Sequence, residues 1–133
     1  MARHERLNPA TLFDARVLAY SQVMKSTGGT LVQVAGQAAL DRELRLVGEG
    51  DFAAQTRQCF ENLGHALDAA GAKPADVNSI RIYVVDMRPD YVPVLKQALE
   101  GFFGEALPPG TLVGAASLSM PGLLIEVEAT AVV

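Results

Sequence analysis

Between Asp51 and Gly71 the chain repeats apolar residues every three or four positions, at Phe52, Thr56, Cys59, Phe60, Leu63, Leu67 and Ala70. Gln55, Arg57, Gln58, Glu61 and Asp68 fall off that stripe. This spacing predicts an amphipathic helix. Asp51 is placed to accept a free amide at its start, and Gly71 to take the left-handed exit at its end. One face of such a helix must be buried, so the rest of the chain has to supply a surface for it.

The flanking segments change period and supply that surface. Val17–Lys25 and Thr30–Gln37 are rich in β-branched and apolar residues, and Ser26-Thr27-Gly28-Gly29 between them predicts a tight hairpin turn. Leu44, Leu46 and Val47 predict a short third strand between turn residues. Ser79–Asp86 alternates, with Ile80, Ile82 and Val84 opposite Arg81, Tyr83 and Val85. Asp90 is placed to cap a second helix with Tyr91, Val94, Leu95, Ala98 and Phe102 on its buried stripe, ending near Gly104. Two more strands follow, Thr111–Leu118 and Leu123–Val133. The expected order is β-β-β-α-β-α-β-β: an α+β domain with a mixed sheet and both helices on one face. Residues 1–133 read as a single domain without linker or repeat. Apolar residues on the uncovered face predict association with further copies of the chain.

Composition narrows the function classes. Half of the 133 residues are hydrophobic and a fifth charged, a globular balance. The formal charge is −4 and Lys and Arg do not cluster, so no footprint for nucleic acid or an anionic membrane is present. Charges interrupt every apolar run short of the roughly eighteen residues a membrane span needs. A lone cysteine, Cys59, and a polar start, Met-Ala-Arg-His-Glu-Arg, predict a soluble protein of the reducing cytoplasm. His4 and His65 lie far apart without a metal-ligand pattern, and no nucleophile or phosphate-loop motif occurs. His65 reads as solvated and Cys59 as a small core residue.

Ile125-Glu126-Val127-Glu128-Ala129 is the segment that carries chemistry, because period two sends both carboxylates to one face. Two readings stand. An edge strand shows such charges to water. A carboxylate lining a partly dry cleft instead orients or deprotonates a water molecule.

Val34-Ala35-Gly36-Gln37, Glu61-Asn62-Leu63 in the first helix, Ala70-Gly71, Val84-Val85-Asp86-Met87, Phe102-Phe103 and Ile125-Glu126-Val127-Glu128-Ala129 together resemble the RidA (YjgF) family of imine deaminases. The order and spacing of the pieces carry the resemblance, which covers nearly the whole chain. It implies a chorismate-mutase-like fold and a homotrimer. Small enamine or imine metabolites would be hydrolysed in clefts between subunits, without a cofactor. By the same resemblance Glu126 positions the attacking water. Tyr20 brings an aromatic hydroxyl to the cleft, Gly36 meets the ligand with its backbone, and Tyr83 forms a wall. The family's deaminases carry an arginine that clamps the substrate carboxylate, and here that position is Gly110. Thr111 and Leu112 offer backbone amides in its place; Arg16 and Arg81 are the nearest other cations, each reading more simply as a surface or strand-face residue. The resemblance therefore implies deamination with altered substrate choice, or a non-catalytic binding protein. The ribonuclease activity ascribed to some relatives fits the acidic charge poorly.

Overall fold

The computed structural model describes residues 1–133. Its strands are β1 (Arg3–Leu7), β2 (Val23–Thr27), β3 (Leu31–Ala38), β4 (Val77–Val85), β5 (Gly110–Ala115) and β6 (Ile125–Val132), and its helices are α1 (Phe52–Ala69) and α2 (Tyr91–Phe103). The element order is β-β-β-α-β-α-β-β, as expected, but the first three strands are not all the ones expected. No helix is long and apolar enough to cross a membrane.

Strands β3, β6, β4 and β5 form one sheet in that order, with β4 and β5 parallel and the other neighbours antiparallel. Alternation decides the faces. Ile80, Ile82, Val84, Ile125, Val127, Ala129 and Ala131 join the buried cluster with Phe52, Cys59, Phe60, Leu63 and Leu67 of α1 and Leu95, Leu99 and Phe103 of α2. Both helices thus cover one face. The opposite face carries Arg81, Tyr83, Glu126, Glu128 and Thr130, all at least partly exposed. Rings of Phe52 and Tyr91 stack with centroids 3.7 Å apart and tie the starts of the helices together.

The N-terminal third departs from the periodicity. Val17 and Leu18, at the start of the expected first strand, instead end a short 3-10 turn over Ala15–Leu18, in which Ala15 and the following Ala19 are buried while Val17 and Leu18 are exposed. Gly28 and Gly29 do take positive φ, at 75° and 85°, yet the strands beside them belong to different sheets. β2 pairs with β1, from Arg3↔Thr27 to Leu7↔Val23, and β3 pairs with β6. A Cβ at Gly29 would collide with the Val133 carbonyl, so the turn lays the chain against the end of β6. β1 itself, Arg-His-Glu-Arg-Leu, escaped the sequence reading because a two-stranded ribbon has no apolar face to betray it. Leu44–Val47 is not a strand. Leu40 and Leu46 make a single bridge, and the Asp41 carboxylate accepts from the Glu43 and Arg45 amides to close a turn.

Gln55 was expected off the buried stripe and is fully buried. Its Nε2 donates to the Gly48 and Gly122 carbonyls at 3.1 and 2.9 Å, and its Oε1 accepts from the Leu124 amide at 2.8 Å. Apolar periodicity cannot see a polar side chain that is buried to pin loops.

The helix ends divide in a testable way. The Asp51 carboxylate accepts from the Ala54 amide at 3.0 Å, whereas Asp90 stands at the start of α2 without any side-chain cap. Asp51→Ala should therefore cost about 1 kcal/mol of stability in urea denaturation, and Asp90→Ala less than about 0.5 kcal/mol.

Candidate functional site

Glu126 lies on β6, an interior strand rather than the edge strand of the alternative reading, opposite Tyr83 on β4 and Ala38 on β3. The β3–β6 register shifts between Val34 and Gln37, and this bulge brings Gly36 up to the glutamate. A Cβ at Gly36 would stand 2.8 Å from the Glu126 carboxyl carbon and collide with an oxygen, so only glycine leaves the carboxylate where it is. Glu126 and Gly36 share a polar recess with Arg42, Asn62, His65 and Ser119. Asn62 fixes its rim by donating to the Ala38 and Leu40 carbonyls at 2.9 and 3.0 Å.

Cys59 lies beneath, its thiol 3.5 Å from the Ile125 carbonyl. Burial, then the nearby Glu126 charge, push the thiol pKa up to about 12, so it stays protonated and serves the core rather than chemistry. No three His, Cys, Asp or Glu side chains converge as a metal site.

Tyr20, Gly110, Thr111 and Leu112 come together elsewhere, around a mainly apolar cavity of about 290 Å³ between β4, β5 and α2. The Ser21 amide donates to the Pro108 carbonyl at 3.0 Å and its hydroxyl to the Leu107 carbonyl at 2.6 Å, which holds Tyr20 beside the start of β5. A Cβ at Gly110 would stand 3.0 Å from Ile80 Cγ2 and 3.9 Å from the Tyr20 Cβ. A larger residue at this position would thus grow beside Ile80 and Tyr20. Lys96 is the cavity's one cationic side chain, with Glu100 at 3.8 Å.

Tyr83 lines neither recess. Its hydroxyl donates to Glu128 at 2.6 Å on the open sheet face, and that bond, with the carboxylate charge behind it, raises the phenol pKa. Arg81 Nη1 stands 3.9 Å from the same carboxylate oxygen. Arg16 is paired with Asp14 through two contacts, at 2.8 and 3.0 Å, which hold the Asp14 carboxyl below its ordinary pKa. Neither arginine lines a recess with Glu126 or Gly110. Arg42 and Ser119 carry no signal for the site in the sequence, and His65, which reads as solvated there, lines the recess. The Val34-Ala35-Gly36-Gln37 and Glu61-Asn62-Leu63 motifs both contribute residues to this recess.

Within one chain, then, the expected site residues other than Tyr83 fall into two groups: Glu126 with Gly36, and Tyr20 with Gly110, Thr111 and Leu112. A family model described as endoribonuclease L-PSP matches residues 14–133. The 3-aminoacrylate deaminase RutC of Acinetobacter baylyi is 36% identical over 101 residues, 76% of this chain and 78% of that protein. The 2-iminobutanoate/2-iminopropanoate deaminase of Salmonella typhimurium is 35% identical over 107 residues, 78% of this chain and 80% of that protein. The crystal structure of YyfB from Yersinia pestis, a Rid-family protein of unknown function, matches with a TM-score of 0.94 and 35% identity over 98% of each chain. The chain belongs to the RidA/YjgF family and has that family's α+β fold.

Proposed function

We propose that the protein hydrolyses small imines or enamines to carbonyl compounds and ammonia, in clefts between the subunits of a homotrimer in the cytoplasm. The observation that carries this reading is the Glu126 carboxylate held over Gly36 at the side of a polar recess, in a chain whose relatives include an imine and an enamine deaminase. Protonation at carbon with loss of a proton from nitrogen converts an enamine to its imine. Glu126 accepts a proton from water as the water oxygen bonds to the imine carbon. Glu126 passes that proton to nitrogen to give the carbinolamine, whose hydroxyl proton then moves to nitrogen as the C–N bond breaks, so that ammonia leaves and the carbonyl forms. No cofactor takes part in this sequence.

The division of the expected residues between two recesses supports a shared cleft. A second copy would bring its Tyr20–Gly110 cavity to the Glu126 recess of the first. With Gly110 in place of the arginine, the cavity offers space and apolar walls rather than a clamp, so selectivity departs from the relatives'.

The test is ammonia release from a panel including 2-iminobutanoate and 3-aminoacrylate, with the mass in solution measured in parallel. Rates no faster than spontaneous hydrolysis across the panel would sink the enzyme. Metabolite binding by calorimetry without turnover would favour a binding trimer, the reading that Gly110 suggests. RNA is disfavoured as substrate by the net charge of −4 and by the pairing of Arg16, Arg45 and Arg88 with neighbouring aspartates.

The close contact at Gly36 adds an expectation. Gly36→Ala should lower turnover by about tenfold while costing less than about 1 kcal/mol in thermal denaturation, because the carboxylate end can swing aside. A large loss of stability would show that the bulge, not the carboxylate, is what the glycine serves.

A further inference from the structure

The recess around Gly110 is apolar where the Glu126 recess is polar. Along α2, Val92, Leu95, Lys96 and Leu99 recur at three and four and so share one helix face. In β5, Gly110 stands opposite Ile80 and Leu112 opposite Ile82, which turns both toward the face that the helices cover. Ile80, Ile82, Leu95 and Leu99 are buried and form the floor, while Leu112 and Val92 are exposed at the rim. Gly110 adds no side chain to the wall beside Ile80 and Tyr20. An apolar cavity of about 150 Å³ holds a benzene ring. This one, at about 290 Å³, has room for a branched chain or an aromatic ring.

The charges favour the same occupant. Lys96 is the one charged side chain of the lining, and Glu100 on the next turn stands 3.8 Å from its ammonium. A carboxylate entering here gives up water without meeting an unpaired cation, a cost that a hydrocarbon does not carry. We propose that this cavity binds the hydrocarbon part of the substrate, so that the protein acts on uncharged imines or enamines that carry a branched aliphatic or aromatic group. The proposal rests on the deaminase reading above and names its substrate class. The apolar group fills the space beside Gly110, and the reacting carbon lies at the mouth, toward the Glu126 recess of a second copy.

The experiment follows ammonia release from three imines generated in situ by a flavin-dependent amine or amino-acid oxidase. They are the aldimine of 3-methylbutanal, the aldimine of acetaldehyde, and 2-imino-4-methylpentanoate, which is the first with a carboxylate added at the reacting carbon. The catalysed kcat/KM should be higher for the 3-methylbutanal imine than for either of the others by about tenfold or more. Leu112→Ser, a change at the exposed rim, should narrow the ratio between the two aldimines by about fivefold, and Gly110→Val, which fills the cavity, should narrow it further. A merely structural role lowers both rates alike and leaves the ratio as it was. Equal rates on the two aldimines, faster turnover of the carboxylate-bearing imine, or an unchanged ratio in Leu112→Ser would overturn the proposal. Calorimetry with 4-methylpentan-2-one and 4-methyl-2-oxopentanoate separates the two layers. If wild type binds the uncharged ketone more tightly, Leu112→Ser weakens that binding and no imine is turned over, the apolar site stands while the deaminase reading falls. If imines are turned over without preference for the hydrocarbon chain, the deaminase reading stands and the apolar site falls. If there is neither binding nor turnover, and Leu112→Ser lowers the mass in solution, a second copy's side chain fills the cavity and both fall.

Discussion

Glu126→Gln should lower imine hydrolysis by about 10²-fold or more at saturating substrate, with the melting temperature nearly unchanged. Glutamine keeps the volume and one acceptor oxygen of the side chain, so Gly36 accommodates it as it does glutamate. What disappears is the ability to take a proton from water, and with it the charge that favours proton transfer in the transition state. The competing view of this strand, a solvated face showing carboxylates to water, predicts no change in rate. Initial-rate kinetics with thermal denaturation of the same samples decide between them. A rate within about threefold of wild type would remove Glu126 from the chemistry.

The largest expected loss of stability comes from Gln55→Ala, at about 3 kcal/mol, equivalent to a melting temperature lower by about 10 °C. The side chain is fully buried and makes three hydrogen bonds to backbone groups, two carbonyls and one amide. Alanine leaves those groups without partners and opens a void, and both costs have the same sign. The consequence reaches the site, because Leu124 adjoins the start of β6 and Glu126 follows two residues later. Urea denaturation checks the magnitude, and a cost below about 1 kcal/mol would mean that water replaces the amide without penalty.

Much of this architecture was legible in the sequence wherever burial imposes a period. α1 and its ends, the alternation of β4, and the shared face of Glu126 and Glu128 follow from the spacing of apolar residues. The signal failed where burial does not impose one. β1 and β2 form a ribbon outside the main sheet, so Arg3–Leu7 carries no apolar alternation, and Val17 and Leu18 look like strand residues though they cover a turn from outside. The glycine pair after β2 announced a turn but could not reveal that its two arms enter different sheets. The site was less legible than the fold. Periodicity placed Glu126 on a face, only the family resemblance singled it out, and the contact with Gly36 depends on a bulge with no compositional mark.

The sheet order β3-β6-β4-β5 has a kinetic consequence. None of its neighbouring pairs is a local hairpin: β4 reaches β5 through a helix, and β6 closes onto β3 and β4 from far along the chain. Every ladder therefore pays a large loop-closure entropy before it gains contacts, a topology of high contact order that folds slowly for its size. Because β6 joins β3 to β4, the carboxylate and the glycine beneath it meet only when the long-range ladders close. The recess beside Glu126 therefore cannot form before the β3–β6 ladder closes.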